Sequence, residues 1–184
     1  MKRFFVSMAL LALGAMTLAG CGEPATSTAP PPTATAVPVA TGGDPATGGN
    51  VNTAGQPEHI TVQHILIGFK DAVGFRGNAP PAAQARTQEQ AKALAYEILE
   101  KAKKGEDFDQ LVVQYTDDSP PGIYSMANIG VQPDSAAQEA GRQDMVAAFG
   151  DVGFTLQVGE IGIADYDDVN FTSPYGWHII KRVK

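Results

Sequence analysis

Cysteine is almost absent from this chain. Cys21 is the only one in 184 residues, so no internal disulfide can form. Histidine occurs three times and tryptophan once, at Trp177. Basic residues are outnumbered, 13 Lys and Arg against 20 Asp and Glu, giving a formal net charge of -7. A net acidic chain lacks the electrostatic footprint of a nucleic-acid binder. The longest apolar run, Phe4 to Leu18, has about 15 residues and falls short of a comfortable bilayer span. No Walker loop, HExxH, CxxC or GxSxG is present, which removes the usual nucleotide, zinc-protease, redox and serine-hydrolase readings. Asp165, Asp167, Asp168 and Asn170 lack the glycine and final glutamate of a calcium loop and read as a solvated turn. Neither a metal nor another cofactor is expected.

What is present begins with a signal. Lys2 and Arg3 precede the apolar run, which ends Leu18-Ala19-Gly20-Cys21. Small residues before a cysteine resemble the bacterial lipobox. That resemblance implies cleavage before Cys21, lipidation of Cys21 and an extracytoplasmic chain anchored in a bacterial membrane, with acyl methylenes contributing about 0.8 kcal/mol each. The plainer alternative is a secretory signal with an incidental cysteine. The expected division is residues 1–20 as signal peptide, 21–57 as tether and 58–184 as folded domain. The tether is rich in Ala, Thr, Pro and Gly and has almost no large apolar residues, too few to offset its ordering entropy. Its coil span is on the order of 30 Å.

From Glu58 onward the pattern is globular. Ile60 to Ile67 is apolar on both faces around His64, as expected of a central strand. A long loop with Gly and Pro follows to Arg86. Thr87 and Gln90 have capping-box spacing at the start of a helix whose apolar stripe is Ala91, Leu94, Ala95, Ile98, Leu99 and Ala102. Lysines crowd its end and Gly105 stops it. Asp107 caps a shorter helix, Ile123 to Met126 reads as a short strand, and Asp144 to Leu156 reads as helix. A strand near Ile161 and a closing strand from Trp177 to Val183 complete an α+β pattern. His178 is a polar ring inside that last apolar run, and a buried polar group needs a partner.

Several motifs, in order, resemble the parvulin family of peptidyl-prolyl isomerases. They are Val62-Gln63-His64-Ile65-Leu66-Ile67, Gly105-Glu106-Asp107-Phe108, Tyr115-Thr116-Asp117-Asp118-Ser119, Met145-Val146-Ala147-Ala148-Phe149, Phe154-Thr155-Leu156-Gln157-Val158-Gly159-Glu160-Ile161 and the closing Thr172 to Lys181. The resemblance implies the parvulin (FKBP-like) fold, a four-stranded antiparallel sheet with flanking helices. It also implies that His64 and His178 meet on neighbouring strands, with Asp118 as the acid beside them and Ser173 as a hydroxyl bonded to the histidines. Asp117 reads as a turn or capping residue. Met145, Phe149, Tyr124 and Phe154 are the candidates for gripping a proline ring, with helix core packing as the alternative for Met145, Phe149 and Phe154. The chain departs from the family in the segment Pro121 to Ala127, where Tyr124 takes an apolar position and an expected Phe is missing, and in about a dozen extra residues before Met145. Lys70, Arg76 and Arg86 are too scattered in the first loop for a phosphate clamp.

The activity so implied is rotation about Xaa-Pro bonds in proline-containing unfolded or exported polypeptides, without cofactor or metal. Two rivals stand beside it: a holdase chaperone that keeps the groove but not the catalysis, and a structural envelope lipoprotein.

Overall fold

The computed structural model describes residues 54–184. The signal segment, Cys21 and the tether up to residue 53 lie outside the described residues. Among those described, no helix is long and apolar enough to cross a membrane.

The centre of the fold is a strand, β1 (His59–Ile67), flanked by β2 (Ile123–Ala127) on one side and β5 (Trp177–Arg182) on the other, both antiparallel. Beyond β5 lies β4 (Ile161–Ala164), also antiparallel, and beyond β2 lies a two-residue strand, β3 (Ala140–Gly141), which runs parallel to it. The order is β3-β2-β1-β5-β4. The expected four-stranded antiparallel sheet is thus corrected to a five-stranded mixed one. The extra strand comes from the segment inserted before Met145, which returns along the open edge of β2 and pairs its free backbone groups.

Among the described residues, four α-helices complete the fold: α1 (Pro81–Gln84), α2 (Gln88–Lys103), α3 (Phe108–Tyr115) and α4 (Ala147–Thr155). The capping box at Thr87 forms in full, with Gln90 N–H donating to Thr87 Oγ1 and Thr87 N–H to Gln90 Oε1. Asp107 caps α3 by accepting from Gln110 N–H. The expected helix from Asp144 starts only at Ala147. A 3-10 turn at Arg142–Asp144 comes first, and Met145 is extended.

Side chains alternate along β1 and β5, so each strand serves two cores. Ile65, Ile67, Trp177 and Ile179 face α2 and α3 with Ile98, Leu99, Phe108 and Leu111. Ile60, Val62 and Ile180 face α4 with Met126, Phe149 and Phe154. His64 and His178 belong to this second face, with 3% and 4% of their surface exposed. The strand that closes the chain therefore builds one core with its odd-numbered residues and presents a histidine with an even-numbered one.

Behind the second core Arg142 is buried to 4% exposure. It pairs with Asp151 at 2.8 Å, donates to Asn128 Oδ1 and Gln56 Oε1, and lies over the Phe154 ring. Asn128 in turn donates to Pro57 O at 3.0 Å. Gln56 and Pro57 are thereby held against the domain.

Candidate active site

Position 118 is set by bonds from its neighbours Thr116 and Asp117 to the backbone of β1. Asp117 N–H donates to Leu66 O at 2.8 Å, and Leu66 N–H donates to Thr116 Oγ1 at 3.1 Å. Farther along the same turn, His64 N–H donates to Gly122 O at 2.9 Å. Gly122 has φ +66°, and a Cβ there would lie 2.5 Å from His64 O, so no side chain fits. Gln63, on the opposite face of β1, donates to Pro121 O and to Asp109 Oδ1, fastening the turn and α3 to the strand.

Asp117 does more than shape a turn. Its side chain is fully buried, accepts from Gly68 N–H at 2.7 Å and pairs with Arg86 at 2.6 Å. Arg86 also donates to Gly68 O. The long first loop is thus locked to the turn that carries Asp118.

With the turn fixed, three side chains form a row. His64 Nε2 is 3.0 Å from Asp118 Oδ2, and His64 Nδ1 is 3.2 Å from His178 Nδ1. Tyr124, reaching across from β2, donates its hydroxyl to the same Asp118 Oδ2 at 2.8 Å. The His64 bond, opposed by burial and aided by the Tyr124 hydroxyl and the Ser119 backbone, holds the Asp118 carboxyl far below its ordinary range. Burial, with the Asp118 bond second, pushes the Tyr124 hydroxyl up to about 12. Burial, and then the neighbouring His64, lowers the pKa of His178, so its ring is neutral.

The Asp118 state fixes one proton position: an ionised carboxylate only accepts, so His64 Nε2 carries the donated hydrogen. The two Nδ1 atoms of His64 and His178 share a single hydrogen between them. The buried His178 Nε2 has no hydrogen-bond partner among the described residues.

The row lines a cavity of about 240 Å³. Its apolar wall is Met145, Val146, Phe149 and Leu66, with Tyr124 beside them. Phe149 meets the His64 ring edge-on at 5.0 Å and the Tyr124 ring at 5.8 Å. His64, Asp118, His178, Tyr124, Met145 and Phe149 are therefore brought together.

Two expected members are not. Ser173 is fully buried, but its hydroxyl donates to Gly176 O at 2.8 Å and makes no bond to either histidine. It shapes the turn entering β5 instead. Phe154 lies in the core beneath Arg142 and does not line the cavity. It is five residues from Phe149, about 140° around the helix, so the two rings cannot face the same space. Sequence reasoning passed over Phe75 and Tyr175, both on the cavity wall. For Tyr175 a signal existed, its place beside Gly176 in the closing motif. For Phe75, in an irregular loop, there was none.

Residues 50–184 match the family described as the PPIC-type PPIase domain. No curated protein matches the chain. Among solved structures, TbPIN1 is 20% identical over 69% of this chain and 98% of its own length, with TM-score 0.49. The peptidyl-prolyl isomerase ESS1 of Candida albicans is 21% identical over 72% of this chain and 70% of its own, with TM-score 0.48. PrsA of Bacillus subtilis is 25% identical over 69% of this chain but only 35% of its own length, with TM-score 0.39.

Proposed function

The chain belongs to the PPIC-type, or parvulin, family of peptidyl-prolyl isomerase domains, and from that premise we propose that it catalyses rotation about Xaa-Pro bonds in unfolded, exported polypeptides. One observation carries the reading: an ionised carboxylate and two hydrogen-bonded histidines line an apolar cavity walled by Met145 and Phe149.

The chemistry asks for little more. Amide resonance opposes rotation with a barrier of about 18–20 kcal/mol. No bond must break, so the site has only to bind the twisted amide better than either planar form. Each tenfold of acceleration takes about 1.4 kcal/mol. The pyrrolidine ring is gripped by Met145 and Phe149, away from water. In the planar amide the carbonyl oxygen carries negative charge borrowed from nitrogen; in the twisted one that charge has returned. The Asp118 anion beside this oxygen penalises the planar form more than the twisted one. His64 holds the carboxylate in place, and His178 bonds the other ring nitrogen of His64.

A protease-coupled assay on a Xaa-Pro peptide tests the reading. Acceleration over the uncatalysed rate is expected. Client binding with no acceleration would replace the enzyme with a holdase.

The second part of the proposal concerns location. The run Phe4 to Leu18 and the small residues before Cys21 support lipidation and an extracytoplasmic membrane anchor. Cys21→Ser is expected to abolish incorporation of labelled palmitate and release the chain from the membrane fraction; unchanged labelling would refute the anchor.

A further inference from the structure

The cavity wall contains two groups of rings. Phe149, Tyr124 and the histidines are in mutual contact around the acid. Phe75 and Tyr175 form another pair, edge to face, with centroids 5.4 Å apart. They come from the long first loop and from the turn before β5, and both line the same cavity.

The backbone is shaped around this pair. A Cβ on Gly68 would lie 2.6 Å from the Phe75 ring, and a Cβ on Gly74 would lie 2.7 Å from the Tyr175 ring. Gly74 N–H donates to Pro174 O at 2.9 Å, joining the two segments. The rings are seated, yet Tyr175 keeps 36% of its surface exposed. An aromatic pair held this way, opening on a cavity, is a surface that an apolar side chain would cover.

Charge narrows the choice. Of the first loop's cations, Arg86 is committed to the buried Asp117, Lys70 lies 3.6 Å from Asp71, and neither these nor Arg76 line the cavity. Asp118 on the same cavity is ionised. An acidic side chain bound here would meet an anion and no lysine or arginine on the cavity wall.

We propose that Phe75 and Tyr175 form a second subsite, which takes an aromatic or large aliphatic side chain flanking the proline of the client. The inference rests on reading the cavity as a prolyl-isomerase site. Both rings line the same cavity as Met145 and Phe149, so the residue adjoining the proline on one side is the one placed to meet them.

The test uses the full chain in detergent and magnetisation-exchange NMR on two peptide series, which vary Phe, Leu, Ala and Glu immediately before and immediately after the proline. In one series kcat/KM for Phe or Leu is expected to exceed that for Ala about tenfold, with Glu below Ala. Phe75→Ala and Tyr175→Ser, each checked by thermal melting, are expected to bring the Phe-to-Ala ratio to within about twofold of unity. Flat series at both positions, or a ratio unchanged in both folded variants, would overturn the subsite. Turnover of the Ala peptides with flat series sinks the subsite alone; no turnover of any peptide sinks the isomerase reading instead.

Discussion

Asp118 Oδ2 accepts two hydrogen bonds, one from His64 and one from Tyr124. Tyr124 is therefore part of the wall through its ring and part of the polar row through its hydroxyl. The two roles separate in Tyr124→Phe, which keeps the ring and removes the donor. A hydrogen bond to a charged group contributes about 1.5 kcal/mol, close to one pKa unit. The Asp118 carboxyl in this variant is expected to titrate about one unit higher, read by carbon-13 NMR, with a several-fold loss of kcat/KM at neutral pH. An unmoved titration would show that the hydroxyl has no hold on the acid. Little of this was visible in the sequence. The position of Tyr124 between a turn and a short strand places it near the site, but which oxygen it meets depends on the cross-strand pair Val62 and Tyr124, and pairing register is not written in one strand alone. Ser173 departs from its expected place for a related reason: a hydroxyl next to a turn has a carbonyl within reach, and here the Gly176 carbonyl claims it.

At the scale of elements, the regular pieces were legible and the irregular ones were not. The α2 stripe and its capping box follow from spacing, because a helix repeats every 3.6 residues. The alternation in β5 correctly divides Trp177 and Ile179 from His178. The first loop has no repeat to read. Its anchor, Arg86 on Asp117, joins residues 31 apart, and Asp117 taken alone resembles any turn aspartate. The pair has a measurable consequence. Arg86→Met leaves a fully buried carboxylate without its cation, which costs about 3–5 kcal/mol. Urea denaturation of the domain is expected to show a loss of that size; a change below about 1 kcal/mol would mean that Asp117 is satisfied without Arg86. The strand β3 was unreadable for the same reason as the loop. It is two residues long and exists only because β2 has a free edge for it.

For the whole molecule, the buried row links stability to acidity. His178 is neutral in the folded domain well below its ordinary value of 6.5. Between the folded and unfolded values the unfolded chain binds more protons, so stability rises with pH across that window and falls as the solution is acidified below about 6.5. Asp118 acts in the same direction at lower pH. Its contribution is complete above about 3.8, its ordinary value, and is lost as the pH falls through its lower folded value. Urea midpoints are expected to decline between pH 7 and pH 5, and His178→Gln to flatten that decline. Equal slopes in both proteins would remove His178 as its source. The topology that buries the row was the most legible feature of all, since the first and last strands of the domain are both apolar on two faces and each carries a histidine inside its apolar run, His64 and His178. Such strands must lie inside a sheet, and both do.

The central claim is that the row of Asp118, His64 and His178 in its apolar cavity speeds rotation about Xaa-Pro bonds. Exchange NMR on a short Xaa-Pro peptide measures that rotation directly, without a coupling protease. The domain from residue 54 onward, which retains Gln56 and Pro57, is expected to accelerate exchange by orders of magnitude over the seconds-to-minutes uncatalysed process, and Asp118→Ala to lose about 10²-fold or more while keeping its circular dichroism spectrum. Exchange at the uncatalysed rate with the intact domain, or undiminished exchange with a folded Asp118→Ala, would contradict it.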